Sequence, residues 1–155
     1  AIDDLNYGQV ATIIGRYYAM DRDKRWERIK IAVEALTQGV GEKSQDPLRT
    51  IQERFSKDET DEFLKPIIIS EEGLIKDGDT LFFFNFRADR MRQIVQTFGV
   101  SPPPFDIEIP KNLYIITMTR YKAEFPFPVA FPPQVMDNVL AEWLAKLKIP
   151  QCHVA

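Results

Sequence analysis

The stretch Gly15-Arg-Tyr-Tyr-Ala-Met-Asp-Arg-Asp-Lys-Arg-Trp-Glu-Arg28 organises this sequence. Residues 10–14 form an apolar, β-branched run typical of a buried strand, whereas helical periodicity begins only after Asp21. Arg16 and Arg22 are therefore predicted on the connection between a strand and a helix. Unpaired N–H groups and the dipole at a helix N-terminus attract anions, and a guanidinium group matches the geometry of phosphate and carboxylate. The stretch thus predicts an anion-binding turn.

A second basic turn has the sequence Asn85-Phe-Arg-Ala-Asp-Arg90. It follows the most apolar run of the chain, residues 80–86, which predicts a central strand covered on both faces. Arg87 and Arg90 lie three residues apart at the predicted start of a helix, so we expect them on one helical face. Ligands of open α/β sheets bind beyond the carboxyl ends of strands. We therefore expect the two basic turns to form one anion pocket.

An alternative interpretation is that the arginines form surface ion pairs of small energetic weight. Their candidate partners are Asp21, Asp23 and Asp89. The spacing of the residues does not separate this interpretation from an anion pocket.

The alternation of apolar runs with helical periodicity predicts an α/β fold, with a mostly parallel sheet flanked by helices. Strands are expected at residues 10–14, 67–69, 81–86 and 113–119. Helices are expected at residues 24–39, 46–57 and 88–98. Residues 120–133 contain four prolines and four aromatic residues without helical periodicity, which predicts a semi-rigid linker or an ordered extended arm. Residues 134–155 are expected to form a helix followed by a strand.

Composition excludes several classes of function. The net charge of −3 argues against a nucleic-acid partner, and no apolar run approaches the ~20 residues that span a membrane. Cys152 is the only cysteine and His153 the only histidine, so neither a disulfide framework nor a histidine–cysteine metal centre is expected. The acidic residues 58–62 are expected to form a solvated turn. We expect a fragment of a longer cytoplasmic protein.

The two arginine stretches resemble the signature stretches of the cofactor-independent (2,3-bisphosphoglycerate-independent) phosphoglycerate mutases. Asp61-Glu-Phe63, Pro66 and the Asp77-Gly-Asp79 turn fall where that family has similar residues. The resemblance implies a phosphatase-like domain with two divalent metal ions, manganese or magnesium, and a transiently phosphorylated serine. It also implies an inserted transferase domain that holds the substrate, and no 2,3-bisphosphoglycerate cofactor.

The resemblance also assigns the parts of this chain. Residues 1–119 correspond to the later part of the transferase domain, residues 120–133 to the interdomain linker, and residues 134–155 to the start of the second phosphatase segment. The residues implied to bind phosphoglycerate are Arg16, Arg22, Arg87 and Arg90. The fragment carries no implied catalytic residue or metal ligand, so we expect it to be inactive alone.

The implied full-length protein is a monomeric glycolytic isomerase that interconverts 3-phosphoglycerate and 2-phosphoglycerate through a phosphoserine. In the fragment, an exposed central strand is expected to favour self-association. Two other classes of protein stay open: a non-catalytic anion-binding module, and a structural α/β module whose arginines form ion pairs.

Overall fold

The structure is a computed structural model that describes residues 2–154. Its helices are α1 (Ile2–Leu5), α2 (Arg16–Ala19), α3 (Trp26–Gln38), α4 (Pro47–Phe55), α5 (Arg92–Gly99) and α6 (Leu140–Lys146). Its strands are β1 (Thr12–Ile13), β2 (Glu42–Lys43), β3 (Ile67–Ile68), β4 (Thr80–Phe83) and β5 (Tyr114–Thr117). Single 3₁₀ turns cover Asp61–Phe63 and Glu71–Gly73.

The strands form two small sheets, and the predicted α/β class is confirmed. β3 lies between β1 and β2 in one sheet, and β4 pairs with β5 in parallel in the other. β2 is parallel to β3, but β1 is antiparallel to it, contrary to its expected direction. Backbone hydrogen bonds from Gly15 to Leu64 and from Ile69 to Ala11, both 2.8 Å, hold this antiparallel register. An apolar run predicts a strand but carries no information about the direction in which it pairs.

β2 was not predicted, because its two residues are charged and exposed. Its position depends on Gly41, which packs directly against the backbone of Pro66. A Cβ atom at Gly41 would lie 2.7 Å from the Pro66 carbonyl oxygen, closer than such atoms can approach. Glycine therefore allows the strand to reach β3 where sequence periodicity gives no signal.

The three main helices occur where they were expected, with one shifted boundary. Asp46 caps α4, since its carboxylate accepts a hydrogen bond from the Arg49 amide at 3.0 Å, and Gly39 ends α3 with φ 69°. α5 begins at Arg92, whereas residue 88 was predicted. Arg87 and Arg90 consequently precede the helix in a turn, so the prediction that they share a helical face is wrong. Apolar periodicity marks the helix but not the turn in front of it.

β4 is covered on one face only, which corrects the prediction of a strand buried on both faces. Phe82 and Phe84 are 50% and 69% exposed, whereas the alternate residues Leu81 and Phe83 pack against the core. Within the described residues β4 pairs with β5 alone, so its other edge has no strand partner there. Self-association of the fragment stays a prediction.

The core lies where α3, α5 and the inner face of β5 meet, and it includes part of the predicted linker. Tyr121 is 2% exposed, and its hydroxyl lies 2.6 Å from the Asn85 carbonyl and 3.0 Å from that of Phe83. Residues 120–133 contain no helix, as expected, but the first half of this segment is anchored in the core. A buried aromatic residue with a satisfied hydroxyl cannot act as a free linker.

The chain beyond the core is exposed. α6 forms as expected, and Trp143 is half exposed, with none of the helix buried. Residues 150–154 form no strand, so the strand predicted for 152–155 is wrong over its described part; Ala155 lies outside the described residues. The division of the chain into two domains stays a prediction.

We expect Tyr121→Phe to lower the free energy of unfolding by about 1–3 kcal/mol, because the partly buried Asn85 carbonyl loses its hydroxyl donor. Urea denaturation of the 155-residue chain measures this change. Tyr114→Phe is the matched control, since Tyr114 is exposed on the outer sheet face and should change stability by less than about 0.5 kcal/mol. Equal effects of the two substitutions would contradict the anchoring role of Tyr121.

Candidate anion-binding site

The Asp89 carboxylate brings two of the predicted arginines together. Arg22 Nη1 lies 2.9 Å and Arg87 Nη2 3.3 Å from Asp89 Oδ2. The hydrogen bond from Arg22, followed by the charge of Arg87, lowers the pKa of Asp89, so the carboxylate is ionised at neutral pH. The two basic turns, 67 residues apart between Arg22 and Asp89, therefore meet at one place on the surface.

Arg90 joins the same region through the backbone. Its Nη1 donates a hydrogen bond of 3.2 Å to the carbonyl of Met20, two residues before Arg22. Arg22 and Arg87 share the Asp89 carboxylate, and Arg90 lies beside them, so that three arginines lie together in one region. Arg87 is the most accessible of them, with 84% of its side chain exposed. We call these three arginines and Asp89 the arginine cluster.

Arg16 points to a different partner. It begins α2, a one-turn helix that the periodicity did not predict, and its Nη2 lies 2.6 Å from Oε2 of Glu62. In the described part of the chain, Arg16 therefore pairs with the 3₁₀ turn Asp61–Phe63 and makes no contact with Asp89. The structure brings together three of the four predicted residues.

The ion pairs of the alternative interpretation are also present. Asp89 pairs with Arg22 and Arg87, and Arg25 lies 2.5 Å from Asp23. The Arg22, Arg25 and Arg87 side chains are at least two-fifths exposed, so solvent screens these pairs and they contribute little stability. Because these ion pairs are weak, the guanidinium groups can exchange them for a bound phosphate or carboxylate.

Asp21 and Gln93 form a buried pair behind the arginine cluster. Asp21 is 4% and Gln93 5% exposed, and Gln93 Nε2 donates to Asp21 Oδ2 at 2.8 Å. The same oxygen accepts the backbone N–H groups of Asp23 and Arg25 at 2.9 and 3.0 Å. Burial alone would raise the pKa of Asp21, but these hydrogen bonds outweigh it and lower the pKa below its ordinary value.

The sequence patterns did not identify Gln93 as a residue of the site. The available signal was a polar side chain on the inward face of an amphipathic helix, one position before the core residue Ile94. Such a residue needs a buried partner, but the sequence alone does not identify which one.

The described residues do not fit a metal centre. Residues 2–154 contain no group of three or more histidine, cysteine, aspartate or glutamate side chains arranged to hold an ion. In the acidic segment, Glu59 instead pairs with Arg54, and Glu62 pairs with Arg16. No helix in this range is long and apolar enough to cross a membrane.

The fold and the arginine cluster together define an α/β protein that presents guanidinium groups to solvent. A family profile described as BPG-independent PGAM N-terminus matches residues 1–123. The chain therefore belongs to the family of 2,3-bisphosphoglycerate-independent phosphoglycerate mutases.

Proteins with this name are similar over nearly the whole chain. The identity is 56% to the protein of Onchocerca volvulus and 51% to that of Caenorhabditis elegans, each over 96% of this chain. It is 43% to the protein of Listeria monocytogenes over 100% of this chain. A crystal structure of Leishmania mexicana phosphoglycerate mutase at low cobalt concentration superposes with a TM-score of 0.73 at 26% identity, over 89% of this chain and 27% of that one. This chain spans about 30% of the length of the first relative.

Proposed function

We propose that this chain supplies part of the phosphoglycerate site of an isomerase that interconverts 3-phosphoglycerate and 2-phosphoglycerate. One observation carries the proposal: Arg22 and Arg87, from distant parts of the chain, converge on Asp89 with Arg90 beside them. Membership of the family supplies the substrate. The names of the relatives state independence from 2,3-bisphosphoglycerate, so the proposal includes no such cofactor.

The arginine cluster suits this substrate because phosphoglycerate carries both a phosphate and a carboxylate. Each planar guanidinium group donates two parallel hydrogen bonds to such an anion and leaves the substrate hydroxyl free. In phosphoryl transfer, positioning and neutralisation of charge provide most of the catalysis. Asp89 would hold Arg22 and Arg87 in place until the substrate arrives. Arg16 would release its ion pair with Glu62 and bind the substrate instead.

The remaining parts of the proposed reaction belong to the full-length protein. Two divalent metal ions and a phosphorylated serine lie, in this proposal, outside residues 2–154, which contain no group of three or more histidine, cysteine, aspartate or glutamate side chains that could hold a metal ion. When bound, the metal ions would neutralise the negative charge of the phosphoryl group during its transfer. The same proposal includes the division of the chain into transferase, linker and phosphatase segments. It also includes a monomeric full-length enzyme and a cytoplasmic location.

We expect the full-length protein to interconvert the two phosphoglycerates without added 2,3-bisphosphoglycerate, because the guanidinium groups and the metal centre are then together. The 155-residue chain alone should show no turnover, since it contains no residue proposed to react. A coupled assay of 2-phosphoglycerate formation measures the activity of the full-length protein and of the 155-residue chain. An inactive full-length protein supplied with manganese or magnesium would contradict the proposal.

A structural module is the second candidate function, because the four arginines already have partners within the protein. In that case the arginines would form contacts within the protein and bind no substrate. Phosphate titrated into the protein separates the two candidates. Chemical-shift changes at Arg22 and Arg87 Nε would favour an anion site, whereas unchanged shifts would favour the structural module.

A further inference from the structure

We propose that Asp21 and Gln93 are positioning residues that hold the two basic turns in one fixed arrangement. The inference rests on the proposed function, since it concerns how the same arginines are presented to phosphoglycerate. Asp21 is adjacent to Arg22, and Gln93 follows Arg90 by three residues. Asp21 and Gln93 are at least nine-tenths buried, so each acts through its arginine neighbours and not on the substrate.

The Gln93 side chain joins α5, the helix that follows the second basic turn, to the first basic turn with both ends of its amide. Its Nε2 donates to Asp21 Oδ2 at 2.8 Å, and its Oε1 accepts the Lys24 backbone N–H at 2.5 Å. These bonds span 72 and 69 residues of chain. A leucine of similar size would fill the same space but make neither bond.

The loop that Gln93 holds has a conformation that needs outside support. Lys24 has a φ of 60°, in the left-handed region that residues other than glycine seldom adopt. Such a conformation persists where surrounding contacts maintain it. Asp21 supplies more of these contacts through its bonds to the amides of Asp23 and Arg25. Without this support, we expect residues 22–25 to adopt several conformations.

A fixed arrangement matters because the arginine cluster must match two anionic groups of one substrate. An error of about 1 Å in a binding group can reduce a rate by a factor on the order of 100. Thr97, the next inward polar residue of α5, shows the contrast. Its hydroxyl donates to the Gln93 carbonyl of its own helix at 2.9 Å and contacts neither basic turn. Thr97→Val is therefore a matched control for loss of a buried hydrogen bond in α5.

The test compares Gln93→Leu and Thr97→Val in the full-length protein. We expect Gln93→Leu to raise the KM for 3-phosphoglycerate about tenfold or more and to speed hydrogen exchange of the Lys24 and Arg25 amides. Thr97→Val should lower the melting temperature but change neither the KM for 3-phosphoglycerate nor the hydrogen exchange of these two amides. Gln93→Met, which keeps the length of the side chain but lacks the amide that makes both hydrogen bonds, serves if Gln93→Leu does not fold, and the same changes are expected.

A double substitution shows whether Gln93 acts through Arg22. In an Arg22→Ala background, Gln93→Leu should raise KM by less than about threefold, because the positioned group is gone. Unchanged KM and amide exchange in Gln93→Leu, with activity impaired in Arg22→Ala, would overturn the positioning role and leave the proposed function intact. Full activity in Arg22→Ala would instead count against the proposed site, while faster amide exchange in Gln93→Leu would still support the hold on the loop.

Discussion

Replacement of Arg87 by alanine in the full-length protein is expected to lower kcat/KM about ten- to a hundredfold. This loss corresponds to a charge-assisted hydrogen bond of about 1.5–3 kcal/mol. Arg87 is 84% exposed, and its contact with Asp89, at 3.3 Å, is long. The free energy of unfolding should therefore change by less than about 0.5 kcal/mol, because surface substitutions of this kind seldom affect stability. Steady-state kinetics and denaturation measure the two quantities separately.

Related variants make the comparison sharper. Arg87→Lys should recover only part of the activity, because a point charge does not replace the planar guanidinium group. Arg49→Ala is the matched control, since the Arg49 side chain is similarly exposed, at 76%, but pairs with Glu53 on α4. It should leave kcat/KM unchanged. Full activity in the double variant Arg87→Ala/Arg90→Ala would mean that these arginines form ion pairs only.

Replacement of Gly15 by alanine is expected to be the most destabilising single change in the basic turns. Gly15 has φ −65° and ψ 149°, which any residue can adopt, so backbone conformation does not require glycine here. Space does: a Cβ atom would lie 2.5 Å from the Glu62 carbonyl oxygen and 2.6 Å from the Leu64 nitrogen. Both are backbone atoms that cannot rotate away. We expect a loss of about 3 kcal/mol or more, at the upper end of overpacking effects.

The same clash should disturb the pairing of Arg16, since Glu62 lies in the displaced segment. Thermal and urea denaturation measure the loss of stability. Gly78→Ala is a useful comparison, because Gly78 has a left-handed φ of 83° but open space around it. Its cost should be limited to about 1 kcal/mol of backbone strain. If Gly15→Ala is no worse than Gly78→Ala, the close approach to residues 62–64 is not what requires glycine.

Local sequence was sufficient for the features that depend on neighbouring residues. The apolar period of α3, the Asp46-Pro47 start of α4 and the α/β alternation are all properties of a few consecutive side chains. The placement of Arg87 and Arg90 between β4 and α5 follows from the same local patterns, whereas the short helix α2, which begins at Arg16, was not predicted. The Gly15–Arg28 and Asn85–Arg90 stretches also carried the resemblance that the family match confirms.

The remaining features depend on residues that are distant in the chain. Long-range contacts set the antiparallel direction of β1 and the pairing of the charged strand β2. They also bury Tyr121, which lies in a proline-rich segment.

The same limit applies to the site. Local sequence identified the four arginines, but only the tertiary structure decided that Arg22 and Arg87 meet at Asp89 with Arg90 beside them. It also decided that Arg16 pairs with Glu62 and that Gln93 supports the loop. Periodicity shows which face of an element is buried, whereas a hydrogen bond between residues some 70 positions apart exists only once the chain has folded.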